Sequence, residues 1–258
     1  MSRESDILKE DRMLQKRFCE LAERSFSQNI YTYTSFLSLP EQDLFHRMES
    51  ELQYAGVTLY GGAQGCDRRM LRFGSSSRMG FEEEFPIRCI AAEPRQEKYS
   101  QELTHRDYLG ALMNLGISRE LLGDIFVKEK VGYFFCTERI APFLVEELTR
   151  IRHTAVSCRI LQEWADCLKK EVSIRKVGVA GERLDSILAK AYNLSRSQSQ
   201  MLFSAGNIYV NGRLCENTGY RPKNMEEISV RGYGKFRYRG AEGLTKKGKL
   251  SVILEIYG

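Results

Sequence analysis

The residues best suited to chemistry lie in the last third of the chain, where arginines and small hydroxyl side chains surround a predicted helix start. Ser195 is a good N-cap for this helix, and Gln198, three residues later, completes a capping box. A capped helix start is the positive end of the helix and presents free backbone N–H groups, so it favours a bound phosphate. We therefore predict a phosphate-binding face, whose candidate residues are Arg183, Ser195, Arg196, Ser197, Gln198, Arg213 and Arg231.

The charge of the chain is distributed unevenly. From residue 171 to the end there are 15 Lys plus Arg against 8 Asp plus Glu, whereas the first 170 residues carry 24 against 26. A basic C-terminal third on a near-neutral body is typical of a nucleic-acid-binding surface, and Lys246 and Lys247 join its candidate residues. Two alternatives remain open: the basic surface only solubilises the chain, and Arg183 only forms a local ion pair with Asp185.

The elements that must position these residues follow from local patterns. A first helix carries the apolar stripe Leu184, Ile187, Leu188 and Ala191, and the second helix ends at Gly206. The segment 208–214 predicts a hairpin, because Asn211-Gly212 is suited to a type I′ turn. One strand over 227–232 and another over 250–257 complete the predicted unit.

The segment from residue 85 to residue 160 shows a second informative order of elements. We predict strands over 85–92, 124–127, 131–136 and 154–160, with helices over 104–115 and from 138 to about 150. This βαββαβ order is typical of ferredoxin-like folds, which include the RRM. Tyr133 or Phe135 could then stack on RNA bases, although core packing is the alternative. Arg106, at a helix start that Thr104 caps, is a further candidate for RNA contact.

The first 78 residues are predicted to form a mixed helical and β domain. Helical spacing is seen in Leu14, Phe18 and Leu21 and again from Leu44 to Leu52, followed by a short strand over 57–60. The predicted fold is therefore α+β, with three domains: a mixed N-terminal domain over 1–78, a ferredoxin-like domain over 79–170 and an α+β domain over 174–258 with its core at 181–240.

Composition argues against several classes of protein. The seven cysteines are odd in number and form no C-x-x-C pair, so neither a disulfide framework nor a zinc site is expected. No segment approaches a membrane span, and the opening residues Met1 to Asp6 lack the apolar run of a signal peptide, so we expect a cytoplasmic protein; no cofactor is expected either. Gly61-Gly62-Ala63-Gln64-Gly65 is weak evidence for a methyltransferase loop, because turns explain it equally well.

The last third of the chain resembles the RNA-binding domain named after small-subunit ribosomal protein S-four. The matching residues are Arg183-Leu184-Asp185, Ser195-Arg196-Ser197, Gly206, Val210-Asn211-Gly212 and Val230-Arg231-Gly232. The segment from His105 to Gly116, with Arg119-Glu120 and Gly123-Asp124-Ile125, is similar to the bacterial YlmH family. Further similar segments are Phe36 to Pro40, Gly61-Gly62 and Thr245 to Lys249. The stretch from Ala63 to Arg69 departs from the family pattern.

The resemblance to the YlmH family implies a ribosome-associated protein with an S-four-type module and a central RNA-binding domain. Members are linked to quality control of stalled translation, in which they hold peptidyl-tRNA on a dissociated large ribosomal subunit. We therefore expect a noncatalytic monomer whose partners are rRNA, tRNA and the large subunit. The alternatives are an RNA-modifying enzyme, of the pseudouridine synthase or methyltransferase type, and an interaction protein associated with cell division.

Overall fold

The computed structural model describes residues 2–96, 98, 101–164, 172–245 and 248–257. These residues form two compact units, one within Met1–Lys169 and the other within Lys170–Gly258, and each is described by itself. Among the described residues, no helix is both long enough and apolar enough to cross a membrane. The same residues contain no group of three His, Cys, Asp or Glu side chains placed to hold a metal ion.

The first unit begins with two helices packed on a small sheet. The elements are α1 (Ser2–Gln28), β1 (Thr32–Tyr33), α2 (Leu39–Leu52), β2 (Val57–Tyr60), β3 (Met70–Phe73) and α3 (Ser76–Met79), with strand order β1-β3-β2. Phe18 of α1 meets Phe45 of α2 edge to face, with 6.2 Å between ring centroids. The helical spacing read from the sequence therefore corresponds to two real helices, which bury their apolar stripes against each other.

The predicted βαββαβ order is confirmed in the rest of the first unit. The elements are β4 (Ile87–Pro94), α4 (His105–Asn114), β5 (Leu122–Lys128), β6 (Val131–Thr137), α5 (Ala141–Glu147), β7 (Arg150–Ile151) and β8 (Thr154–Leu161). All strand pairs are antiparallel, in the order β5-β6-β4-β8-β7. The second helix is shorter than predicted, because Arg150 pairs with Ala155 and extends the sheet by the short strand β7.

Both faces of this five-stranded sheet are covered. One face packs on α4 and α5 and includes Phe134, whereas Phe135 points to the other face and packs with Phe36, Met70 and Cys89. Phe135 is fully buried, so the interpretation that it stacks on RNA bases is wrong and core packing is correct for it. The predicted domain boundary at residue 78 stays a prediction, although side chains from both sides of it share this core.

The second unit is a six-stranded antiparallel sheet with two helices. The elements are β9 (Val172–Val179), α6 (Leu184–Ala191), α7 (Arg196–Ser204), β10 (Ile208–Val210), β11 (Arg213–Leu214), β12 (Glu227–Val230), β13 (Gly234–Leu244) and β14 (Leu250–Tyr257). The strand order is β11-β10-β12-β13-β14-β9. Leu184, Ile187 and Leu188 of α6 are fully buried against this sheet, as the sequence predicts. Strands β9 and β13 were not predicted.

Candidate nucleic-acid interface

The start of α7 has the predicted capping box. The Ser195 hydroxyl accepts the Gln198 backbone N–H at 3.2 Å, and the Gln198 side-chain oxygen accepts the Ser195 backbone N–H at 2.9 Å. Ser195, Arg196, Ser197 and Gln198 are all exposed. The backbone N–H groups of Arg196 and Ser197 occupy the first helical turn, where no intrahelical acceptor exists, so they remain suited to an anion.

A buried carboxylate organises the arginines next to this helix start. Asp185 is fully buried, and its two oxygens accept Arg183 Nε at 3.1 Å and Arg183 Nη2 at 3.3 Å. Arg196 Nε lies 4.0 Å from the same carboxylate. The local ion pair that the sequence left open is therefore present, yet one carboxylate faces two guanidinium groups. The Arg183 and Arg196 side chains are 46% and 74% exposed, so a net positive charge faces solvent.

Asp185 also joins the two helices of the second unit. Its backbone carbonyl accepts the hydroxyl of the buried Ser199 at 2.8 Å, and its carboxylate accepts the Ser186 backbone N–H at 2.8 Å. Backbone bonds from Leu184 and Asp185 to the segment 218–220 fix the start of α6. The relative position of the two arginines therefore comes from a junction that Asp185 and Ser199 hold. Sequence reasoning missed Ser199, whose polar side chain lies on the buried face of α7.

The remaining candidates of the second unit lie apart from this junction. Arg213 follows the Asn211-Gly212 turn, whose φ angles of 51° and 83° confirm the predicted type I′ geometry. Arg231 follows β12, and its backbone N–H donates to the Asn207 carbonyl at 2.9 Å. Both side chains are exposed. Strand pairing places Arg213 and Arg231 at opposite ends of β10, so they would touch different parts of a bound nucleic acid.

Of the lysine-rich segment near the end of the chain, the structure describes only the residues on either side of the two predicted cations. Lys246 and Lys247 lie outside the described residues. The Thr245 backbone N–H donates to the Lys249 carbonyl at 2.6 Å, and the Lys249 backbone N–H donates to the Thr245 hydroxyl at 3.1 Å. Thr245 and Lys249 thus pair with each other between β13 and β14.

Arg106 of the first unit is exposed in the first turn of α4. The predicted cap is present, because the Thr104 backbone N–H and hydroxyl both donate to Asp107 at 2.8 Å. These hydrogen bonds lower the pKa of Asp107, and Arg152 adds an ion pair at 2.8 Å. Asp107 is therefore a structural carboxylate that holds the helix start, and it leaves Arg106 available for an RNA contact.

The glycine loop after β2 has a packing explanation. A Cβ at Gly62 would lie 2.5 Å from the Phe135 ring, and the Gly62 φ angle is 100°. The Gly62 carbonyl accepts Trp164 Nε1–H at 2.7 Å and the Tyr60 hydroxyl at 2.6 Å. The glycine at position 62 is thus needed to bring the backbone onto an aromatic cluster, which removes the main argument for a methyltransferase loop.

The segment that departs from the family pattern is also structural. The Arg68 guanidinium donates to the carbonyls of Phe36 at 2.8 Å and Leu122 at 2.9 Å. Asp124 accepts the backbone N–H groups of Asp67 at 2.5 Å and Arg68 at 3.1 Å. Burial lowers the pKa of Arg68. These bonds fasten the loop to β5, and they give Arg68 a role in folding.

We expect Gly62→Ala to destabilise the chain by about 3 kcal/mol, because the methyl group meets Phe135 and the positive φ strains any L side chain. Urea denaturation followed by circular dichroism measures the change. Gly110→Ala is the matched control, since its Cβ meets no atom within 4 Å inside α4 and helix propensity favours alanine by about 0.5–1 kcal/mol. Equal stability of the two variants would contradict the packing explanation.

Two family models match this sequence. The model described as "Putative RNA-binding domain in YlmH" matches residues 82–163, and the S4 domain model matches residues 182–228. The first of these covers the five-stranded sheet from just before β4, and the second covers α6, α7 and the strands up to Ile228. The junction of Arg183, Asp185 and Arg196 therefore lies inside the S4 match.

The known proteins that are similar to the chain include two curated proteins and a solved structure. "Ribosome-associated protein quality control protein P2" of Bacillus subtilis (strain 168) is 28% identical over 223 residues, which are 86% of each chain. "Uncharacterized RNA pseudouridine synthase" of Aquifex aeolicus (strain VF5) is 32% identical over 75 residues, which are 29% of this chain and 27% of that protein. "Cell division protein ylmH from Streptococcus pneumoniae" aligns with a TM-score of 0.45 and 21% identity, and covers 59% of this chain and 91% of that one.

Proposed function

Since this chain belongs to the YlmH family, we propose that it is a noncatalytic RNA-binding protein that binds the large ribosomal subunit with its peptidyl-tRNA during rescue of stalled translation. The observation that carries the RNA-binding part is the junction at the start of α7, where Asp185 holds two exposed arginines beside free backbone N–H groups. This junction lies within the matched S4 domain. Its chemistry suits RNA phosphates.

The choice of ribosome and tRNA rests on the relatives. The Bacillus subtilis protein is named for ribosome association and protein quality control, and it aligns with 86% of this chain. The RNA-binding domain of the first unit offers a second contact. Two linked modules that engage together bind about 10² to 10⁴ times more tightly than either alone, and such a pair would select a site that presents two RNA elements at once. A large subunit with bound tRNA is such a site.

A sucrose gradient of tagged protein from cells with stalled translation tests this proposal. We expect the protein in the large-subunit fractions, together with tRNA detected by hybridisation, because rRNA and tRNA would each occupy one RNA-binding domain. A parallel gradient after magnesium depletion, which separates subunits, is the control. Protein confined to the top of the gradient, or equally abundant on small subunits, would overturn ribosome rescue and leave RNA binding intact. A cytoplasmic location and a monomeric state are part of the same proposal.

An RNA-modifying enzyme is the second candidate, because part of the chain is similar to a pseudouridine synthase. The catalytic aspartate of such an enzyme must reach a uridine, whereas Asp185 is fully buried and paired with Arg183. We therefore expect no turnover of uridine. Tritium release from uridine-labelled rRNA or tRNA by the purified protein would favour the enzyme.

A further inference from the structure

A cavity of about 420 Å³ opens on the first unit, between β2 and the segment 82–88. Three aromatic side chains line it: Tyr60, Phe85 and Trp164. The Tyr60 and Phe85 ring centroids are 5.3 Å apart, with the rings tilted by 54°. The Trp164 indole is fixed by its bond to the Gly62 carbonyl at 2.7 Å. The walls are therefore positioned before any ligand arrives.

Three consecutive carboxylates stand at the edge of this cavity. Glu82 binds the guanidinium of Arg72 at 2.5 Å, and Glu83 accepts the Tyr33 hydroxyl at 2.8 Å. Glu84 also lines the cavity, and its side chain is exposed. Within the part of the chain that the structure describes, the Glu84 carboxylate has no hydrogen-bond partner, so one negative charge at the cavity edge is available.

Arg72 already occupies an aromatic and acidic environment in the wall of the same cavity. Its side chain is 6% exposed, and its guanidinium carbon lies 4.8 Å from the Tyr31 ring centroid and 5.0 Å from that of Phe85. Its Nη1 donates to the Glu83 carbonyl at 2.6 Å. Among the described residues, nothing accepts the buried Nε–H of Arg72. The cavity wall thus stabilises the guanidinium of Arg72 between aromatic rings and a carboxylate, although the Arg72 Nε–H has no acceptor among the described residues.

We propose that this cavity binds an arginine side chain carried by a basic segment of a protein partner. The aromatic walls attract a guanidinium through their ring faces, and Glu84 accepts its N–H groups in a charge-assisted bond. The proposal goes beyond the proposed function, because it concerns a protein partner and the first unit rather than the S-four-type module.

Charge decides between a basic peptide and RNA for this cavity. The charged residues of its lining are the three glutamates and two arginines, Arg72 and Arg88. Both arginines already have an acidic partner, since Arg72 pairs with Glu82 and Arg88 pairs with Glu138. A phosphate beside Glu84 would therefore meet like charge. A cationic side chain would instead meet the one carboxylate that is free to accept it.

The test uses Trp164, the single tryptophan of the chain, as the reporter. The intact protein is titrated with the acetylated peptide amide Gly-Arg-Gly, and with the same peptide in which neutral citrulline replaces arginine. We expect a saturable change in tryptophan fluorescence with the arginine peptide and at least tenfold weaker binding of the citrulline peptide. Glu84→Lys should weaken the arginine peptide by at least tenfold, whereas the exposed Glu146→Lys on α5 should not.

Three results would overturn the proposal: no saturable change with the arginine peptide, equal binding of the citrulline peptide, or tighter binding of a nucleoside monophosphate. The last result would assign the cavity to RNA. Circular dichroism verifies that Glu84→Lys is folded, and Glu84→Gln, which keeps the side-chain size, should weaken binding in the same direction.

Discussion

The double variant Arg183→Ala/Arg196→Ala is expected to bind structured rRNA or tRNA at least about 10²-fold more weakly than the wild type. The two guanidinium groups are the exposed cations that Asp185 holds beside the start of α7. Each charge-assisted bond contributes about 1.5–3 kcal/mol, so two lost bonds exceed a hundredfold. Fluorescence anisotropy with labelled RNA measures the affinity.

Salt dependence separates phosphate contacts from other causes of weaker binding. If the wild type contacts about four to six phosphates, the logarithm of its association constant falls with log salt at a slope of about −4 to −5. Because the double variant loses two phosphate contacts, its slope should be shallower by about 2. A salt-independent affinity, or a slope unchanged by the substitutions, would show that RNA binds another face of the chain.

Two single substitutions serve as controls. Arg196→Ala removes a side chain that is 74% exposed, so stability should change by no more than about 0.5 kcal/mol while binding weakens about tenfold. Arg12→Ala removes an exposed cation of α1, outside the proposed interface, and should leave the affinity unchanged. Equal losses for both variants would indicate a general charge effect.

Asp185→Ala is expected to destabilise the second unit by about 2–4 kcal/mol. The substitution removes the fully buried carboxylate that binds Arg183 and that is one of two acceptors of the half-buried Ser186 backbone N–H, the other being the Arg183 carbonyl. Arg183 is partly solvated, which limits the cost. Urea denaturation measures the loss. Asp185→Asn keeps the size and one acceptor oxygen and should recover part of the stability.

The exposed Asp11→Ala on α1 is the matched control for the loss of one carboxylate, and its stability should stay within about 0.5 kcal/mol of the wild type. Wild-type stability of Asp185→Ala would contradict a stabilising role of this carboxylate at the start of α6.

The sequence by itself determined those features that depend on neighbours three or four residues apart. The capping box at Ser195, the cap at Thr104 and the Asn211-Gly212 turn are short-range interactions, and all three are present as predicted. The βαββαβ order follows in the same way from alternation and helical periodicity. Strand β13 could have been predicted from the alternation of Lys235, Arg237 and Arg239 with Phe236 and Tyr238. Strand β9 was missed because Arg175 and Lys176 interrupt its apolar residues.

Only the tertiary structure decided which surfaces are free. Alternation puts Phe135 on the sheet face opposite the helices, but nothing local in the sequence shows that Phe36 and Met70 cover that face. The closeness of Arg196 to Asp185, and the presence of Glu84 and Trp164 in the lining of one cavity, likewise depend on residues that are not neighbours along the chain. Such contacts depend on how whole elements pack, and a pattern within a single element holds no information on its distant neighbours.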